Sequence, residues 1–205
     1  MRYTGPKNRL ARREGSDLGL KTVGTKTHSS LLRKINIVPG QHGTSRRRKI
    51  TDYGIQLRSK QKLKRIFGMT EKQLHIYYDK SIKAKGNTAQ HLVQRLESRL
   101  DNVIYRLGLS PTRAAARQLV NHGNVLVNGE KVTIPSFQTK IGDVVTLTDT
   151  ALKIPYITSF AEKKDFILPG WLNRQANSGK VVGKIPLEEF KEDVSMQLVV
   201  EFYSR

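Results

Sequence analysis

The sequence predicts an α+β chain. It has an extended basic N-terminal arm, a mainly helical domain, and a small domain of helices followed by a β-hairpin or small sheet. Three observations carry that prediction. Residues 1–50 show poor helical periodicity and are punctuated by Gly15, Gly19, Gly24, Gly40 and Gly43. Residues 52–107 repeat apolar side chains every three or four positions, the period of a helix with one buried face. Val125-Leu126-Val127, then Asn128-Gly129, then Lys131-Val132 has the form of two strands joined by a tight turn.

The arm closes on the basic run Arg46-Arg47-Arg48-Lys49. Such a Gly- and Arg-rich segment is too poor in apolar residues to order itself alone, and contacts to a partner would have to do so. A helix is expected over residues 52–67, with Ile55, Leu63, Ile66 and Phe67 as its apolar stripe. Arg58, Lys62 and Arg65 form a second stripe, and Lys60 and Lys64 flank the apolar one on its other side. Thr70 with Gln73 three residues later is a capping box. It opens a helix that buries Leu74, Tyr77, Tyr78 and Ile82 and stops at Gly86.

Asn87 and Gln90 repeat the capping pattern and open an amphipathic helix through Leu92, Leu96, Leu100, Val103 and Leu107. Ser110 reads as the next cap, with Pro111 at the first helical position, where its missing N–H costs nothing. That helix stops at Gly123, the hairpin follows, and Val144-Val145-Thr146-Leu147 adds a further strand. Residues 169–186 look irregular, and residues 197–203 are an apolar terminal stretch expected to dock on the body. The expected division is an arm over 1–50, a helical domain over 51–93 completed by a returning segment 158–205, and a small domain over 94–157.

The 205 residues include 37 Lys and Arg against 17 Asp and Glu, a formal net charge of +20. Self-repulsion on that scale opposes compaction, so a polyanionic partner is the natural reason for it. The excess is uneven: 22 basic against 5 acidic residues over 1–93, 8 against 5 over 94–157, and 7 against 7 over 158–205. Asymmetry of this size points to nucleic acid. A membrane is disfavoured, because no apolar run approaches the roughly 20 residues of a span and the basic segments lack a broad apolar face. The chain has no cysteine, which excludes disulfides and thiolate metal sites and suits a reducing compartment. The first residues hold no apolar stretch of the signal-peptide kind, so the cytoplasm is the expected location.

Catalytic constellations are missing. There is no Gly-rich phosphate loop with its lysine, and His28, His42, His75, His91 and His122 lack metal-ligand spacing. Asp101 is expected to be a surface or junction residue paired with Arg99 or Arg106. No enzyme activity, cofactor or metal is expected.

RNA-contacting candidates follow from the charge map. Arg46, Arg47, Arg48 and Lys49 lie in the arm, and Arg58, Lys60, Lys62, Lys64 and Arg65 on the first long helix. Arg113 and Arg117 are four apart and share one face of a short helix, a discrete second patch. His122 ends that helix, either against its dipole or on a phosphate, and Lys131 lies on the hairpin. Tyr3, Tyr77 and Tyr78 could stack on bases, although the two helical tyrosines have core spacing.

A series of landmarks then occurs in order. They are the RYTGPK and RREG stretches of residues 1–15, Pro39-Gly40-Gln41-His42-Gly43, Tyr53-Gly54, and Lys85-Gly86-Asn87-Thr88. Leu100-Asp101-Asn102-Val103, Pro111-Thr112-Arg113, Val127-Asn128-Gly129 and the ending Leu198-Val199-Val200-Glu201-Phe202-Tyr203-Ser204 continue it. Over essentially the whole chain this resembles the bacterial small-subunit ribosomal protein S-four family. The resemblance adds Arg2, Tyr3, Lys7, Arg9, Arg12, Arg13, His42, Lys85 and Asn87 to the expected RNA-binding residues. It implies direct binding of small-subunit rRNA near a multi-helix junction in the 5′ domain and nucleation of the subunit body. It further implies a place near the channel where mRNA enters, beside proteins S-three and S-five, with influence on decoding accuracy.

One departure stands out. Many members carry a zinc site in the arm, whose cysteines begin where this chain has Asn8 and Ala11; without cysteine that site is absent. Two rival readings fit the sequence less well. An RNA-modifying enzyme with the same small domain, such as a pseudouridine synthase, needs a catalytic domain that the last 48 residues are too short to supply. A DNA-binding regulator using residues 111–122 as a recognition helix would put its charge there rather than in the arm.

Overall fold

A computed structural model describes residues 3–45, 49–161, 168–190 and 192–205. The chain divides into two units, Met1–Leu92 with Lys191–Arg205, and Val93–Phe190.

In the first unit the arm is not simply extended. Lys7–Glu14 (α1) and Lys26–Arg33 (α2) are helices. α1 ends on Gly15 at φ 67°, a left-handed conformation that costs glycine no Cβ clash. Thr25 caps α2 by accepting a hydrogen bond from the His28 amide. The segment orders itself with few apolar residues because each is well placed. Ala11, Leu18 and Leu31 are buried, and Arg12 donates to the Ile37 and Val38 carbonyls at 2.8 and 3.3 Å.

Asp52–Ile66 (α3) occupies almost the expected span, and Glu71–Ile82 (α4) opens on the expected capping box of Thr70 and Gln73. The buried stripe of α3 differs from the expected one. It consists of Gln56, Lys60, Leu63 and Ile66, while Ile55 is exposed. The cause is Met196–Tyr203 (α10), the terminal stretch, which folds as a helix packed on α3. It lays Phe202 and Tyr203 over Lys60 and sets Glu201 against Gln56. Ile82 is likewise exposed, because α4 buries only Leu74, Tyr78 and Ser81.

The boundary between the units falls inside Thr88–Glu97 (α5). The expected helix through Leu107 breaks after α5: Arg99 is extended at ψ 135° and Leu100–Arg106 (α6) begins anew. The break is held by a loop whose Pro135 and Phe137 carbonyls accept from the Asp101 and Leu100 amides, donors that a helix start leaves unpaired. Arg113–Asn121 (α7) starts three residues later than Ser110, with Thr112 as its cap; the Ser110 hydroxyl instead donates to the Thr112 carbonyl.

Val125–Val127 (β1) and Glu130–Lys131 (β2) form the expected hairpin, with Asn128 and Gly129 both at positive φ. Val144–Leu147 (β3) pairs with β1, and two short helices follow, Asp149–Leu152 (α8) and Pro155–Ala161 (α9). The region expected to be irregular and to return to the helical domain instead holds Leu172–Gln175 (β4) and Ser178–Val181 (β5). They complete an antiparallel sheet of order β2-β1-β3-β5-β4. The alternation of β5 is hidden in the sequence because an inward position is Gly179, where a Cβ would sit 2.4 Å from both Leu107 methyls. Leu172 and Val181 join Leu107, Val125, Val145 and Leu147 in the core beneath the sheet.

Candidate nucleic-acid interface

The α3 cations do not form an open basic surface. Lys60 is 6% exposed; its Nζ donates to Glu71 Oε1 at 2.6 Å and lies 4.3 Å from the centroid of the Phe202 ring. Lys64 donates to the other Glu71 oxygen at 3.0 Å, and Lys62 reaches Asp193 at 2.5 Å. Arg58 and Arg65 both donate to Glu14, whose side chain is 2% exposed. The helix expected to contact RNA through these five residues is therefore, in its cations, an internally neutralised strut. Burial alone would raise the Glu71 carboxyl, but hydrogen bonds from Lys60, Lys64 and Tyr203 outweigh that and hold it at about 2. Burial, followed by the Glu71 carboxylate, pushes the Tyr203 phenol up, and its hydroxyl donates to Glu71 at 2.8 Å.

Other carboxylates in this unit are also engaged. Asp17 pairs with the buried His28 at 2.8 Å, Asp79 with His75 at 2.9 Å, and Glu201 accepts from Gln56 at 3.1 Å. Arg9 and Arg13 are exposed one helical turn apart on α1. Lys26 and Arg33 on α2, with Lys34 at its end, are exposed too. Sequence reading missed these three because their signal, a basic helix face, is only visible once residues 26–33 are recognised as helical. Of the remaining arm candidates, Tyr3, His42 and Lys49 are exposed, Lys7 is half-buried, and Arg12 is turned onto backbone carbonyls. Arg2, Arg46, Arg47 and Arg48 lie outside the described residues. Lys85 is exposed, and Asn87 acts as a cap, its Oδ1 accepting from the Ala89 and Gln90 amides at 2.9 and 3.4 Å.

The second patch is also more interior than expected. Arg113 is 8% exposed, donates Nε to Asn102 Oδ1 at 2.8 Å, and stacks with its guanidinium carbon 4.4 Å from the Tyr105 centroid. Asn102 donates to Glu97 at 2.7 Å, and Arg106 grips the same carboxylate with two bonds of 2.9 and 2.6 Å. Asp101 pairs with Arg99, as one of the two expected partners, but in the interior; Arg99 is fully buried. No sequence signal marks Glu97 and Asn102, because their partners converge only when α5, α6 and α7 pack. Arg117 remains partly exposed on α7, His122 is exposed at its end, and Lys131 is exposed on β2.

Two family profiles cover most of this architecture. One described as Ribosomal protein S4/S9 N-terminal domain matches residues 2–97, and one described as S4 domain matches residues 98–145. Relatives named small ribosomal subunit protein uS4 align end to end. The Chromobacterium violaceum protein is 46% identical over 209 residues, covering 100% of this chain and 99% of that protein. The Neisseria meningitidis serogroup B protein is 48% identical over 207 residues with the same coverage. The chain belongs to the uS4 family.

The uS4 proteins are ribosomal proteins rather than enzymes. The junction of the two profiles, between Glu97 and Ser98, coincides with the end of α5, while β4 and β5 lie beyond residue 145. The chain has no cysteine, and positions 8 and 11 are used for packing and hydrogen bonding. Asn8 donates to the Thr27 carbonyl at 3.2 Å and Ala11 is buried, so a hydrogen bond and a methyl group fix α1. Among the described residues no group of three or more His, Asp or Glu could hold a metal ion. No helix among them is long and apolar enough to cross a membrane.

Proposed function

We propose that this chain is a structural constituent of the small ribosomal subunit in the bacterial cytoplasm and binds rRNA directly. The observation that carries the reading is the division of its charge. The buried cations Lys60, Arg99 and Arg113 are held by acceptors within the fold, whereas Arg9, Arg13, Lys26 and Arg33 stand at the surface. Surface cations of this kind release condensed counterions from phosphates, which supplies affinity without sequence reading.

The primary contacts are assigned to α1 and α2, with Arg117, His122 and Lys131 as a second set. Selectivity comes from the shape of a multi-helix junction in the 5′ domain, and binding there nucleates the subunit body. The chain then lies near the channel where mRNA enters, beside S-three and S-five, and contributes to decoding accuracy. Sedimentation of tagged chain with small ribosomal subunits tests the assignment: co-migration with that particle is expected, and a chain found only at the top of the gradient overturns it.

A further inference from the structure

We propose that the open face of the β2-β1-β3-β5-β4 sheet is a further RNA-docking surface, taking the sugar–phosphate backbone of an RNA helix. The inference rests on the RNA-binding reading above and extends it from Lys131, which that reading already uses, across the sheet to Lys180.

The register decides which side chains share this face. Lys131 lies opposite Leu126, Leu126 opposite Thr146, and Thr146 opposite Ser178. Two residues further along β5, Lys180 lies opposite both Val144 and Asn173. The alternate positions, Val125, Val127, Val145, Leu147, Gly179 and Val181, are buried beneath the sheet. Lys131, Val144, Asn173, Gln175, Lys180 and Val182 are exposed on the outer side, and Leu126, Thr146 and Ser178 are half-buried there.

The composition of that side is selective. The five strands carry one carboxylate, Glu130, and its register opposite Val127 assigns it to the other side. Asp143, next to β3, is occupied by the Asn128 amide at 2.9 Å and the Lys140 backbone N–H at 2.8 Å. Lys131 and Lys180 have no carboxylate partner among the described residues. Three strand steps and a two-residue offset along β5 separate them, roughly 16 Å at the usual strand spacing and rise, far enough to reach two different phosphates. Between and beside them stand neutral donors and acceptors, Thr146, Ser178, Asn173 and Gln175, of the kind that bond phosphate and ribose oxygens.

The same face argues against other occupants. No aromatic residue occupies an outward strand position, so splayed bases have no stacking platform. Val144 and Val182 are the exposed apolar side chains there, too little for the apolar and aromatic centre of a protein interface.

The test uses the full chain, with small-subunit rRNA as probe. Wild type, Lys180→Glu and Lys180→Arg are compared for affinity across a salt series, with the thermal midpoint of each recorded. Lysine-selective acylation with and without the RNA is read at Lys131 and Lys180 by mass spectrometry. The proposal expects protection of both lysines, a loss of roughly fivefold or more for Lys180→Glu, a salt slope shallower by about one, and retention in Lys180→Arg. Wild-type affinity in Lys180→Glu, or full acylation of Lys180 in the complex, overturns the docking face while leaving RNA binding intact. Failure of the wild-type chain to bind would overturn the RNA reading itself.

Discussion

The Arg113 guanidinium donates its Nε proton to Asn102 Oδ1 at 2.8 Å, and both residues are almost entirely buried. Because Asn102 in turn donates to Glu97, which Arg106 also holds, the start of α7 is tied to the end of α5 through one side-chain amide. A residue read from sequence as a surface RNA contact is thus part of the scaffold that positions the partly exposed Arg117.

Asn102→Ala removes the acceptor of a buried cation and a donor to a buried carboxylate. A loss of about 2 kcal/mol in unfolding free energy is expected, the range for a buried charged group deprived of a partner. Urea denaturation of the full chain measures it; a change below about 0.5 kcal/mol would mean that the network is not coupled as drawn.

Arg113 and Arg117 are expected to separate in experiment although they lie on one helix. Arg117→Ala should weaken rRNA binding a few-fold and reduce the salt slope by about one with little change in thermal midpoint. Arg113→Ala should lower the midpoint clearly. Equal behaviour of the two variants would contradict the assignment of Arg113 to the interior.

Lys60 and the α1 arginines make a second contrast. Lys60→Met keeps the stem that packs under Phe202 but loses the charge held by Glu71, so stability should change while the salt slope of RNA binding stays. Arg9→Ala with Arg13→Ala should leave the midpoint in place and reduce the slope by about two. A slope change in Lys60→Met would return α3 to the RNA interface.

Glu71 gives a pH prediction. Its folded value of about 2 lies below the ordinary 4.5. The stability it contributes is therefore complete above about pH 4.5 and is lost as pH falls through about 2. Hydrogen exchange in α10 should rise across that window as Tyr203 loses its carboxylate acceptor, and Glu71→Gln should flatten the dependence. An unchanged acid limb in Glu71→Gln would exclude this latch.

Local signals were the legible ones. Thr70 with Gln73, Gly123, and Asn128-Gly129 each act within a few residues, and each appears in the structure where the sequence put it. What escaped depends on distant partners. Ser98 and Arg99 break the helix because a loop about 40 residues on supplies the Pro135 and Phe137 carbonyls and an isolated bridge partner for Arg99, Gln138. β5 shows little alternation because one of its two inward positions is Gly179, fitted to Leu107. Charge pointed to a polyanionic partner, but a count cannot tell Lys60, enclosed by Glu71 and two aromatic rings, from Arg9 at the surface.

The most direct measurement of the central claim is the affinity of the full chain for small-subunit rRNA as a function of salt. Contacts dominated by exposed cations predict a linear fall of log affinity with log salt, steep enough to lose about a thousandfold between roughly 50 and 200 mM. A nearly flat dependence over that range would contradict it.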